Sequence, residues 1–144
     1  MASIQKRRDQ TDLSDLTPPQ LLAQDREHFS RGIVLFNEGD FWASHEAWEE
    51  VWKRHPEKGR IFFQGLIQAA AGFHQLRRGI YHGAVKHLTN ALWKLEPFEP
   101  VCLGLDIAAL VAALRQCLAE LRRLGEENLS AFDHNLIPTI RSAD

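Results

Sequence analysis

Cysteine is scarce in this chain. Only Cys102 and Cys117 occur among 144 residues, and their spacing matches neither a disulfide framework nor a Cys-x-x-Cys metal site. Their neighbours Val101, Leu103, Leu114 and Leu118 are apolar, so both read as small buried hydrophobes and not as nucleophiles. An excess of one charge is also lacking: 17 Lys+Arg stand against 19 Asp+Glu, a formal charge of −2. The basic footprint of a nucleic-acid binder is therefore missing, and no nucleic-acid partner is expected. Long apolar runs are absent as well. The most apolar stretch, Ile61 to Phe73, is broken by Gln64 and Gln68 and falls short of the roughly 20 residues that cross a bilayer, so no membrane partner is expected. Lys6, Arg7 and Arg8 are not followed by an apolar segment, which argues against secretion and for a cytoplasmic protein. No Gly-x-x-x-x-Gly-Lys-[Ser/Thr], Gly-x-Gly-x-x-Gly or Gly-x-Ser-x-Gly occurs, so no nucleotide cofactor or hydrolase elbow is indicated. Strand signals are missing too: no run joins β-branched alternation to a hairpin dipeptide.

What remains is an ordinary globular composition, 44% hydrophobic and 25% charged, in one domain's length of chain. Helical spacing and punctuation divide it into five segments. Thr17-Pro18-Pro19 opens the first, which runs to Asn37 and breaks at Asn37-Glu38-Gly39-Asp40. Asp40 caps the second, Phe41 to about Arg54, ended by His55-Pro56. The third spans about Gly59 to Arg78 and the fourth Ile80 to Leu95. Asp106 caps the fifth, Ile107 to Leu124, and Gly125 ends it. The expected fold is all-α, a compact bundle of about five helices built from helical hairpins. A faint period of 40 residues supports this, aligning Phe41, Ser44, Trp48 and Trp52 with Tyr81, Ala84, Leu88 and Leu92. Residues 1–16 read as a flexible tail, 17–127 as the helical domain, and 128–144 as a C-terminal tail that either docks or frays.

The second helix carries the chemistry. On a wheel of about 100° per residue, Trp52, Phe41 and Trp48 fall within about 60° on one side of His45, and Glu49 and Trp42 within about 60° on the other. This spacing predicts that His45 sits centrally in a buried aromatic stripe, with Glu49 one turn away. An unpaired buried charge is costly, so the two need partners. At (i, i+4) an imidazole and a carboxylate can converge on one ion, and His74 on the third helix is the candidate third ligand. His45-Glu46-Ala47-Trp48-Glu49 also stands one substitution from the His-Glu-x-x-His of zinc proteases. The alternative is a structural network of His45, Glu49 and a neighbouring helix. A stripe of Gln64, Gln68 and Gln75 on the third helix is either its solvent strip or the source of hydrogen bonds to His45 and Glu49, with Gly65 and Gly72 admitting the second helix closely. His82, Lys86 and His87, after Arg77 and Arg78, form a basic cluster that reads as a solvated face or an anion site.

Phe36-Asn37-Glu38-Gly39-Asp40-Phe41-Trp42-Ala43-Ser44-His45-Glu46-Ala47-Trp48-Glu49-Glu50-Val51-Trp52, followed by Phe63-Gln64-Gly65-Leu66-Ile67-Gln68-Ala69-Ala70, resembles the family called domain of unknown function 309. The resemblance covers about Phe29 to Leu95. Its hallmark, a histidine, three residues, a glutamate, two residues and an aromatic residue, is matched by His45, Glu49 and Trp52. It implies a compact helical protein with a proposed metal site at that motif and no assigned reaction. The expectation is a metal- or ligand-binding protein with His45, Glu49 and His74 as ligands of a divalent ion, lined by Glu46, Trp48, Trp52, Gln64 and Gln68. The alternative is a helical interaction module in which the motif only fixes packing. Any enzymatic activity would be metal-assisted hydrolysis with Glu46 or Glu49 as base. The oligomeric state stays open.

Overall fold

The computed structural model describes residues 12–144, so positions 1–11 of the expected N-terminal tail lie outside the described residues. Five α-helices form the bundle: α1 (Arg26–Asn37), α2 (Phe41–Trp52), α3 (Ile61–Arg77), α4 (Tyr81–Leu95) and α5 (Ile107–Leu124). The caps act where the sequence places them. Asp40 accepts from the Ala43 amide and Asp106 from the Ala109 amide, each satisfying an amide that lacks an intrahelical acceptor. Gly125, at φ 71°, turns the chain out of α5 in a conformation that side chains resist. No helix among the described residues is long and apolar enough to cross a membrane.

Three expectations need correction. The first helix does not start at Thr17-Pro18-Pro19. Leu22 is still extended, a 3-10 turn spans Ala23–Asp25, and α1 begins at Arg26. The prolines instead belong to a strap laid over Gly59, where an added Cβ would meet backbone of Thr17, Pro18 and Pro19. The stretch expected to lack strands holds a short antiparallel pair, β1 (Val101–Cys102) with β2 (Leu105–Asp106). Two residues per strand carry no alternation to detect. Gly65 and Gly72 do admit a helix closely, but it is α4 and not α2. A Cβ on Gly65 would press on Leu95 and Lys94, and one on Gly72 on Leu88.

The hairpin pattern is realised by α1/α2 and α3/α4, whose turns pass through Gly39 and Gly79 at positive φ. Ser44 and Trp48 are fully buried, as are their counterparts Ala84 and Leu88. The α1/α2 hairpin closes around Trp48. Its indole N–H donates to the Phe29 carbonyl at 3.1 Å, the Ser44 hydroxyl donates to the Gly32 carbonyl at 2.7 Å, and the ring lies on Gly32. Phe36, Phe41 and Phe73 extend this contact into an aromatic cluster with centroid separations of 5.0–5.9 Å. After α5 the chain returns along the bundle: Phe132 and Ile140 are buried, and Asn37 exchanges two hydrogen bonds with the Ile140 backbone.

Gly32 is the point of least tolerance. A methyl group there would overlap the indole of a fully buried tryptophan. Gly32→Ala should therefore lower stability by about 1–3 kcal/mol, despite the higher helix propensity of alanine. Urea unfolding followed by tryptophan emission measures it.

Candidate functional site

The face that α2 buries is set by Phe41, Ser44, Ala47, Trp48 and Val51. Its centre lies about 90° around the helix from His45. His45 and Glu49 each follow a buried residue by one position and so fall on the shoulder of α2, not in the middle of its core stripe. The His45 side chain keeps 14% of its surface exposed and Glu49 keeps 50%. Burial therefore places no demand on Glu49, contrary to the expectation of a dry pair.

His45 is nevertheless fixed. Its Nδ1 lies 2.9 Å from the carbonyl oxygen of Trp42. A carbonyl only accepts, so Nδ1 carries the proton and a neutral ring has its lone pair on Nε2. That Nε2 faces Glu49 Oε1 at 3.4 Å. The Nε2 lone pair of the neutral ring thus faces a carboxylate oxygen, an arrangement that favours a proton, a cation or a hydrogen-bond donor shared by the two.

The rest of the site follows from helix register. Trp42 packs on His74 at 5.1 Å and the Arg60 guanidinium on Trp52 at 4.6 Å, so α2 and α3 run antiparallel, and His45 and Glu49 lie level with the middle of α3. There Gln64, Gln68, Ala71 and Gln75 form the half-buried strip of an otherwise buried helix. On the other side α4 runs antiparallel to α3 and brings His87 level with Gly72. Burial above all, reinforced by the positive charges of Lys86 and Lys94 and by His45 whenever that ring is protonated, holds the His87 pKa below its ordinary value, so the ring is neutral near pH 7. Two buried acceptors of this strip, Gln68 Oε1 and Gln75 Oε1, have no hydrogen-bond partner among the described residues, and His87 Nδ1 is likewise without one. Lys94, two turns from His87 on α4, is buried.

Residues 29–87 match the family model described as Domain of unknown function (DUF309). The expected family resemblance thus holds over residues 29–87, short of the expected end at Leu95. The matched segment begins at Phe29, whose carbonyl receives Trp48, and ends at His87, so it takes in most of α1, all of α2 and α3, and the first half of α4. A protein of Aquifex aeolicus (strain VF5) described as "Uncharacterized protein" is 26% identical over 98 residues, 67% of this chain and 29% of that protein. The chain accordingly spans less than a third of that relative's length.

Of the residues expected at the site, His45 and Glu49 come together on α2, and Gln68 lies in the half-buried strip of α3. His74 packs on the Trp42 indole, which also contacts His45 at 4.5 Å. Glu46 lies on the opposite flank of α2, beside Glu27 and His28 of α1. Trp48 belongs to the core and Trp52 to its stack with Arg60. Among the described residues no group of three or more His, Cys, Asp or Glu side chains is arranged to hold a metal ion. Cys102 and Cys117 are buried, which pushes both thiols up to about 12 and keeps them protonated.

One ionic cluster escaped the sequence reading. His55 Nε2 meets Asp25 Oδ2 at 2.7 Å and His55 Nδ1 meets Glu57 Oε2 at 2.8 Å, while Arg54 reaches Asp25 Oδ1 at 3.2 Å. His55 and Asp25 are only 2% and 0% exposed. Burial disfavours the imidazolium, but the hydrogen bonds to Glu57 and Asp25 and their charges outweigh it and raise the His55 pKa. Glu57 is partly desolvated, yet its bond to His55 takes its pKa below the ordinary carboxylate value. In the sequence His55 stood only as the residue before a proline; a glutamate two positions on was the sole local hint.

This cluster fixes a pH signature. The His55 contribution is fully present below its unfolded value of 6.5 and is lost as pH rises through its higher folded value. The Glu57 contribution is present above 4.5 and is lost as pH falls through its lower folded value. His55→Ala should cost at the lower end of about 3–5 kcal/mol, because Arg54 still partners the stranded Asp25. Denaturant unfolding across pH should show the wild-type advantage over the variant shrinking on the alkaline side. A constant difference would contradict the charged imidazolium.

Proposed function

We propose that this protein binds a small polar ligand bearing hydrogen-bond donors, an amine, amidine or amide, in the groove between α2, α3 and α4. The observation that carries this reading is the His45–Glu49 pair, whose locked imidazole leaves two acceptors facing each other 3.4 Å apart. Gln68 Oε1, buried without a partner among the described residues, supports it, because an acceptor left unsatisfied inside a protein costs about 1–3 kcal/mol that a donor would recover. Glu49 supplies the charge that selects a cationic or strongly donating group, and His45 Nε2 fixes its direction. Trp42, half exposed and stacked on His45, borders the entrance. A divalent ion is the second reading. It would take His45 and Glu49 as ligands, but fewer than three protein ligands is unusual for a zinc site.

Thermal unfolding and tryptophan emission, with a panel of small amines, amidines and amides, test the proposal. At about 100 times its Kd a true ligand adds roughly 2.7 kcal/mol. The wild type should rise by several degrees with at least one compound, whereas His45→Ala and Glu49→Gln should not respond. A shift with zinc, manganese or nickel alone, lost in both variants, would replace the organic donor by a metal. Silence toward both panels would leave the motif a packing element of an interaction module.

A further inference from the structure

A second concave site lies on the opposite face of α4. Tyr81, His82, Val85, Lys86, Thr89 and Trp93 form one stripe along that helix, and with Arg122 of α5 they enclose a cleft of about 620 Å³. This volume lies within the range of about 300–1,000 Å³ typical of small-molecule sites. From Tyr81 to Trp93 the stripe rises about 18 Å, enough for a ligand of two parts. Its chemistry is also of two parts. Lys86 and Arg122 supply positive charge, and no carboxylate of the described residues lines the cleft. Tyr81 and Val85 are half-buried and offer ring and aliphatic surface. Arg122 Nη2 donates to Thr89 Oγ1 at 3.4 Å, which holds the guanidinium over the cleft. Glu126 reaches the rim, 3.6 Å from His82 with both side chains exposed, so it weakens the positive field only at that end.

We infer that this cleft binds a planar aromatic anion, its phosphate or carboxylate taken by Lys86 and Arg122 and its ring laid against Tyr81. A guanidinium and an ammonium lining one cleft suit an oxyanion, the former through paired donors and the latter as a point charge. The Tyr81 ring gives the ligand a stacking surface worth more than contact with aliphatic chains alone. The basic run His82, Lys86 and His87 is thus divided by the helix: His82 and Lys86 face this cleft, whereas His87 faces the groove of His45. The lack of a glycine-rich loop does not bear on it, since here side chains and not backbone amides would hold the anion.

Calorimetric titration at low salt, with adenosine monophosphate, indole-3-acetate, adenosine and inorganic phosphate as probes, decides the matter. At least one of the first two should bind and change the tryptophan emission, and adenosine and phosphate should bind at least about tenfold more weakly. Which of the two binds assigns the anion to phosphate or carboxylate. Lys86→Gln and Arg122→Gln, both at exposed positions, should each weaken binding about tenfold or more with an unchanged circular dichroism spectrum. His45→Ala should bind the same probe as the wild type, which separates this cleft from the groove on the other face. Absence of binding by both aromatic anions, phosphate binding as tightly as either, or affinity unmoved in the Lys86/Arg122 double variant would overturn the inference.

Discussion

The seating of Trp48 against Gly32 governs how this bundle presents its chemistry. The indole is the largest fully buried side chain, and it fits only because α1 offers no Cβ at that point. Its N–H and the Ser44 hydroxyl both end on α1 carbonyls, so the roll of α2 about its own axis is fixed at two levels one turn apart. With 44 and 48 turned toward α1, 45 and 49 must turn about 100° away, toward the strip of glutamines on α3. The position of the His45–Glu49 pair on the edge of the core is therefore a consequence of packing.

That edge position suits binding better than burial would. A fully buried imidazole and carboxylate would neutralise or pair with each other. On the shoulder, Glu49 stays half exposed to solvent while the Trp42 carbonyl holds the imidazole in one tautomer. The structural burden falls elsewhere, on Asp25, His55 and Glu57, which tie the start of α1 to the turn after α2. Packing charge and site charge are thus separated in space.

Much of this was legible in the sequence. Asp40, Asp106 and Gly125 mark helix ends because capping is local, and the α3 and α4 bounds follow from Gly79 and the apolar period. The pair His45 and Glu49 is also local, one turn apart on one helix. What the sequence hid depends on partners far along the chain. The wheel weighted aromatic residues and so centred the buried face on His45, whereas the real centre is drawn toward Ser44 and Val51 by the fit of Trp48 to Gly32. Pro18 and Pro19 look like a helix start until Gly59 is seen to receive them. Asp25 and His55 are 30 residues apart, and only the fold brings them together. Gly65 and Gly72 announced a close helix contact but not which helix would make it.

The protonation of His45 is the most direct test of this account. Long-range nitrogen–proton correlation of the ¹⁵N-labelled protein at about pH 8 reads the tautomer of each imidazole. The geometry predicts a proton on Nδ1 of His45 and an open Nε2 beside Glu49, with His45→Ala used to assign the signal. A His45 protonated on Nε2 would break the bond to Trp42, place a donor already in the gap, and contradict the binding site proposed for this protein.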